Sequence, residues 1–221
     1  MPDSLINVNG DSVQTLEILF LTTVIALLPS MLIMMTSFTR IIISLSFLRT
    51  AMGTSQTPPN TVLIGIALFL TLFIMNPVLT QIQQTAYEPY TRQEITQEEA
   101  VDRASVPLKE FMLRNTESSS LTLFCDLAGV DKPATDEEAM ELSMRVIIPS
   151  YMTSELKAAF QIGFFLYIPF MLIDIVVSST LMSMGMIMLP PAMISMPFKL
   201  LLFITVDGWQ LLFSTLAQGF R

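Results

Sequence analysis

Four long apolar stretches dominate this sequence of 221 residues: 18–36, 61–79, 162–188 and 193–213. A helix rises about 1.5 Å per residue, so each stretch reaches about the thickness of the hydrocarbon layer of a bilayer. The mean hydropathy of +0.62 and the 14% share of charged residues are also typical of a membrane protein. We therefore predict an all-α membrane protein with four long hydrophobic helices, which are either four spans or the arms of helical hairpins.

Prolines lie in or beside every apolar stretch, at Pro29, Pro77, Pro169, Pro190, Pro191 and Pro197. A proline removes a helical hydrogen bond and costs about 3 kcal/mol in an isolated helix, so neighbouring groups must compensate. Two interpretations follow for these proline-broken stretches. They are kinked membrane helices, or they are arms that bend back as hairpins and pack mainly against protein.

The segment between the second and third stretches, residues 80–161, carries 14 acidic and 7 basic residues and most of the net charge of −8. We predict that it is a small helical domain facing water. One helix should begin near Asp136, because Thr135 and Glu138 have the spacing of a capping box. The predicted organisation is a polar segment 1–17, a first apolar hairpin 18–79, the acidic domain 80–161 and a second apolar hairpin 162–221.

The predicted orientation rests on two basic residues, Arg40 and Arg49, which follow the first apolar stretch. By the positive-inside rule, the connection 37–60 faces the cytoplasm and the acidic domain faces the periplasm. Residues 1–17 are polar and acidic and lack the basic region of a secretory signal peptide. We expect either insertion without a cleaved signal or a chain whose signal has been removed.

The composition argues against most enzyme classes. The sequence has no histidine and a single cysteine, Cys125, which excludes histidine-based catalysis, His/Cys zinc sites and an internal disulfide. No lysine follows a glycine, so a phosphate-binding G-K-[ST] loop is missing. With 19 acidic against 11 basic residues, the chain has no basic surface for nucleic acid. We expect neither an enzyme nor a metal, a cofactor or a nucleic-acid partner.

Charged residues inside the apolar stretches are candidate functional positions: Asp174, Lys199 and Asp207. A charge in lipid costs about 3 kcal/mol, so such residues usually pair or line a water-filled path. We expect an ion pair between helices, of Asp174 with Lys199 or Arg40, and keep a proton relay as the alternative. Asp207, beside Trp209, is also compatible with an interfacial helix end.

Three further residues are weaker candidates for contacts between helices or subunits: Glu155, Lys157 and Gly163. Glu155 and Lys157 are too close in sequence to meet on one helix face. Gly163 forms a pair of small residues with Ala159, which would let two helices approach closely.

Methionine is concentrated before the last apolar stretch, where Met182, Met184, Met186 and Met188 alternate and Pro190-Pro191 follows. This alternation favours a loop or a broken helix over one helical stripe. Methionine is flexible and apolar, so a cluster of it could form a deformable seal at a constriction. The competing interpretation is that these residues fill an irregular core.

Several short strings in the chain point to one family. They include Phe38-Thr39-Arg40-Ile41, Gly53-Thr54-Ser55-Gln56-Thr57-Pro58-Pro59-Asn60, Ser154-Glu155-Leu156-Lys157, Phe160-Gln161-Ile162-Gly163, Met184-Gly185-Met186-Ile187-Met188-Leu189-Pro190-Pro191, Pro197-Phe198-Lys199-Leu200 and Val206-Asp207-Gly208-Trp209. In this order they resemble the FliP family of flagellar type III export-gate subunits. The resemblance covers the chain from about residue 13 onward.

The resemblance implies that five copies assemble with FliQ, FliR and other membrane subunits in the flagellar basal body of the bacterial inner membrane. Unfolded flagellar proteins would pass through this homo-oligomer, which is surrounded by membrane lipid. It also implies that Met186, Ile187 and Met188, with Met182 and Met184 nearby, form a gasket, although Ile187 replaces the family's middle methionine. The alternatives are a transporter of protons or small solutes that uses Asp174, Lys199 and Asp207, and a pure assembly scaffold.

Overall fold

The chain folds into helices joined by turns. The computed structural model describes residues 12–54, 56–186 and 188–220, and no strand occurs among them. The helices are α1 (Ser12–Met34), α2 (Phe38–Ala51), α3 (Asn60–Ile82), α4 (Glu88–Thr91), α5 (Gln97–Arg114), α6 (Ser118–Ala128), α7 (Asp136–Glu141), α8 (Met144–Ser183), α9 (Pro191–Thr205) and α10 (Gly208–Gln218). A π-helical turn, Gln83–Tyr87, joins α3 to α4. The prediction of an all-α protein is confirmed.

Two helical stretches in the described residues are long and apolar enough to cross a membrane. They are Asn60–Thr91, which contains α3, the π-helical turn and α4, and the 40-residue α8. The pair α9 and α10 could form a third span, but a bend of 63° separates the two helices. The described part of the chain thus holds two or three candidate spans, and α1 contributes the shorter apolar stretch Ile18–Leu27.

The prolines do not end the long helices. Pro77 lies inside α3 and Pro169 lies inside α8. The breaks come instead at residues 184–190 and 206–207. Of the two interpretations, a helix that continues through its proline therefore applies to α3 and α8, in which neighbouring groups can compensate for one lost hydrogen bond.

Helix α2 forms much of the core, although it lies in the segment expected to be a short connection. Its buried residues fall on one face and are Arg40, Ile41, Ser44, Leu45, Leu48 and Ala51. The helix lies beside both α3 and α8. Helix α2 thus packs against α3, while the side chains of the first apolar stretch from Ile18 to Leu21 are exposed.

Two apolar clusters lie toward opposite ends of α3. The membrane cluster joins α2, α3, α8, α9 and α10 and contains Ile41, Leu45, Leu48, Ala51, Met52, Leu63, Ala67, Phe170, Phe203, Leu212 and Leu216. The α5 cluster joins α3, α5 and α8 and contains Met75, Val78, Phe111, Met112, Ile147 and Tyr151. Leu63 and Val78 belong to different clusters and are separated by about 22 Å along α3.

The acidic segment supplies α5, α6 and α7. Helix α7 begins at Asp136, as predicted, and the Thr135 hydroxyl accepts a hydrogen bond from the Glu138 N–H at 3.2 Å. The Glu138 carboxylate accepts from the N–H of Ala134 at 2.7 Å, one residue before the capping threonine. Helices α5 and α6 pack against α8. Because α8 runs unbroken from Met144 to Ser183, the proposed boundary at residue 161 lies within a helix.

Candidate functional site

The methionine-rich turn joins α8 to α9, and a glycine and two prolines shape it. Gly185 has the left-handed φ of +74° that ends many helices. Its N–H donates to Met182 O and the Met186 N–H donates to Leu181 O, each at 3.0 Å, which completes a Schellman motif. Pro191 occupies the first position of α9, where a missing N–H costs nothing. The described residues on either side of position 187 thus show how the chain leaves α8 and how it enters α9.

The methionine side chains of this turn are exposed in the single chain. The exposed fractions are 67% for Met182, 66% for Met184 and 95% for Met188. Met186 is half-buried, and Ile187 lies outside the described residues. Met182, Met184 and Met188 do not fill the core of this chain, which contradicts the core-filling interpretation for those three positions.

A charged cluster joins α8 and α9 further from the turn. Lys199 Nζ donates to Asp174 Oδ2 at 2.6 Å and to Ala51 O, at the end of α2, at 3.1 Å. The Ser195 hydroxyl donates to Asp174 Oδ1 at 2.6 Å. The Lys199 side chain is 7% exposed, whereas that of Asp174 is 42% exposed. The structure thus brings together two of the predicted charges and leaves one side of the carboxylate open.

An apolar cleft of about 530 Å³ lies between the arms of α8 and α9. Its lining residues are Leu172, Ile173, Val176, Val177, Thr180, Leu181, Ile194 and Phe198. The cleft begins beside Asp174 and reaches the last turn of α8. The two arms therefore do not fill the space between them.

The second charged cluster is closed. Arg40 Nε and Nη2 donate to the two oxygens of Glu155, at 2.9 and 2.5 Å. Arg40 Nη1 donates to Gly219 O at 2.9 Å, and the guanidinium lies 3.9 Å from the centre of the Phe220 ring. The Glu155 side chain is fully buried and that of Arg40 is 9% exposed. Arg40 is a buried charge as predicted, but its partner is Glu155 and not Asp174.

The remaining predicted positions have other surroundings. Lys157 Nζ donates to Glu117 Oε2 at 2.5 Å on the exposed surface. Gly163 faces the ring of Phe47 so closely that a Cβ there would overlap the ring. Glu155, Lys157 and Gly163 thus all contact other helices or loops of this same chain.

Asp207 is exposed, so the prediction of a buried charge is wrong at this position. It has a left-handed φ of +49° at the bend between α9 and α10. Its backbone carbonyl accepts from the Leu211 N–H at 3.0 Å, so Asp207 begins α10. The residue therefore marks the boundary between α9 and α10.

Three ionisable groups outside the candidate spans have shifted pKa values. The hydrogen bond from Lys157 lowers the pKa of Glu117. Burial raises the pKa of the Cys125 thiol and lowers the pKa of Lys109. A thiol with a raised pKa is a poor nucleophile. In the described ranges, no group of three or more His, Cys, Asp or Glu side chains could hold a metal ion.

Ser195 and Phe220 complete the two charged clusters and were not predicted from the sequence. Ser195 lies one helical turn before Lys199, so its position on the same face of α9 was available as a signal. Phe220 has no comparable signal, because its contacts come from α2 and α5, which are distant in sequence.

The comparison with known proteins decides the family. Residues 21–216 match the FliP family. The chain belongs to the FliP family. It is 54% identical to the flagellar biosynthetic protein FliP of Pectobacterium carotovorum over 209 residues, which cover 95% of this chain and 79% of that relative. It is 50% identical to the protein of the same name from Bacillus subtilis, covering 93% of this chain and 92% of the relative. The FliP protein of Aquifex aeolicus is 46% identical, with 96% of this chain and 88% of the relative covered.

Proposed function

We propose that this chain is a pore-forming subunit of the flagellar type III protein export gate. Membership of the FliP family indicates a flagellar biosynthesis protein of the export apparatus. In the proposed assembly, five copies associate with FliQ and FliR in the inner membrane at the base of the flagellum. Unfolded flagellar proteins then pass along the shared axis.

The observation that carries this proposal is the exposed methionine turn at the tip of the α8–α9 pair. A single chain leaves Met182, Met184 and Met188 uncovered, although each is apolar. Copies arranged around an axis would each bring one such tip to the centre. Flexible thioether side chains can pack against each other when the passage is empty and move apart around a substrate.

The proposed orientation places α5 to α7 on the periplasmic side. Arg40 is buried in an ion pair, so the positive-inside argument now rests on Arg49. Arg49 Nη1 donates to Asn60 Oδ1 at 2.5 Å, which ties together the ends of α2 and α3 at the loop between them. This loop is at the opposite end of α3 from the α5 cluster, which supports a cytoplasmic loop and a periplasmic α5.

The test is to replace Met186 and Met188 together by alanine in cells that carry the whole export apparatus. We expect increased leakage of small ions through the gate, with protein export partly retained. The reason is that the shorter alanine side chains close the passage less completely but do not obstruct it. The control is Met171→Ala, an exposed methionine of α8 outside the turn. Unchanged leakage, or the same leakage in the control, would contradict the seal.

Family membership does not favour the alternative of a self-contained transporter. The transporter alternative relied on three buried charges, and one of them, Asp207, is exposed at a bend. The scaffold alternative is tested by trapping an export substrate in the gate and crosslinking it to Met188. A substrate that never crosslinks there would favour the scaffold.

A further inference from the structure

We propose that Gly219 and Phe220 form a strap that couples the position of α10 to that of α5. The strap runs from the end of α10, across Arg40, to Phe111 of α5. The bent pair of helices, α9 and α10, would then move together with α5. This inference concerns the folded chain and does not depend on the proposed export function.

Arg40 can hold the strap because a guanidinium has five donors in one plane. Nε and Nη2 donate to the Glu155 carboxylate, so Nη1 remains available to donate to Gly219 O. The flat face of the same group lies over the Phe220 ring. One buried side chain therefore binds α8 and both residues of the strap.

Phe220 reaches the α5 cluster with its ring. The ring lies nearly parallel to that of Phe111, with 6.1 Å between the ring centres and 18° between the planes. Phe111 in turn contacts the buried ring of Tyr151 on α8 at 6.0 Å, edge to face. Phe220 packs against both the membrane cluster and the α5 cluster. It is thus a direct contact between two regions that are otherwise joined through α3 and α8.

Phe213 provides a matched comparison. It is also a partly buried phenylalanine at this end of the chain, on α10, and it packs against the membrane cluster. Its ring lies 5.6 Å from that of Trp209, also on α10. Truncating Phe213 removes a similar apolar volume without touching the strap.

The experiment measures amide hydrogen exchange by mass spectrometry on the full chain, purified in mild detergent with the subunits that accompany it. We expect Phe220→Ala to speed exchange in residues 107–114 of α5 about tenfold, the change expected from losing one stacked ring and one cation–π contact. Phe213→Ala should speed exchange in α10 and leave residues 107–114 unchanged. The proposal is overturned if α5 does not respond to Phe220→Ala, or if it responds equally to both variants.

A milder variant keeps the proposal testable if Phe220→Ala does not accumulate. Phe220→Leu retains an apolar side chain but no aromatic face, so we expect about threefold faster exchange in residues 107–114. If Phe220→Leu also failed to fold while Phe213→Ala folded, the ring would be needed for folding itself and the coupling proposal would be rejected.

Discussion

The two ion pairs of α8 have the same chemistry and opposite surroundings. Glu155, near the start of the helix, is fully buried with Arg40, and two further groups, Gly219 O and the Phe220 ring, contact that guanidinium. Asp174, about 28 Å further along the helix, is paired with Lys199 but almost half exposed. The chain therefore completes the first cluster by itself and leaves the second one open.

The open pair lies on an apolar surface. Leu172, Ile175 and Val176, which surround Asp174 in sequence, are all more than half exposed. A carboxylate facing lipid would cost about 3 kcal/mol, so the open side of Asp174 needs water or another subunit beside it. The charged cluster at one end of α8 is therefore completed within the chain, while the cluster at the other end leaves Asp174 accessible to water or to another subunit.

The largest effect is expected where the closed cluster is broken. Glu155→Gln removes the charge that compensates Arg40 and should lower the free energy of unfolding by about 3 to 5 kcal/mol. Denaturation of the purified protein in detergent, followed by circular dichroism, measures this loss. The control is Glu117→Gln, which removes an exposed carboxylate. A loss below about 1 kcal/mol would show that the cluster is not a buried ion pair.

Breaking the open pair should cost less. In Asp174→Asn, Lys199 keeps its bond to Ala51 O, and the side chain at position 174 is only partly buried, so we expect a loss of about 1 to 2 kcal/mol in the same assay. A loss as large as that of Glu155→Gln would contradict the difference between the two clusters. Export measured in parallel separates two roles: a fully assembled complex that cannot export would favour a proton relay.

A double replacement tests whether Asp174 and Lys199 stabilise each other. Asp174→Leu combined with Lys199→Met removes both charges, and we expect it to recover at least about 1 kcal/mol relative to Lys199→Met alone. The reason is that Lys199→Met leaves Asp174 without its cation in apolar surroundings. Additive losses in the double-mutant cycle would show that the two side chains do not stabilise each other.

The smallest effect is expected at the exposed pair of Lys157 and Glu117. Lys157→Ala should cost less than about 1 kcal/mol, because solvent screens both charges. The pair lowers the pKa of Glu117 in the folded chain, so its contribution is present above the ordinary pKa of a glutamate. It is lost as the pH falls through the lowered pKa of the folded chain. The difference in unfolding free energy between the wild type and Glu117→Gln, measured across the acidic range, should therefore decrease as the pH falls.

The sequence predicted the features that depend on local patterns. Long apolar stretches predicted α3 and α8, and the alternating methionines with Pro190-Pro191 indicated a loop or a broken helix between α8 and α9. Asp174 and Lys199 were predicted to pair because both are charged within apolar stretches. These inferences need only the residues nearby and the polarity of a membrane.

The features that the sequence did not predict depend on packing between distant segments. Helix α2 is 14 residues long and contains Arg40 and Arg49, so it did not resemble a membrane helix. Because the position of α2 was not predicted, the sequence could not show whether Arg40 pairs with Glu155 or with Asp174, which both lie on α8. Its buried face, at Ile41, Leu45 and Leu48, did have helical spacing and was the signal available for it.

The contact between Gly163 of α8 and Phe47 of α2 restricts which residues can occupy the two positions together. The Phe47 ring lies against Gly163, between the rings of Phe160 and Tyr167, with 5.1 and 6.2 Å between ring centres. A larger residue at 163 would push the ring out of this notch unless position 47 became smaller in the same lineage. Homologous chains should therefore show covariation between the two positions, with their combined volume nearly constant while each residue varies.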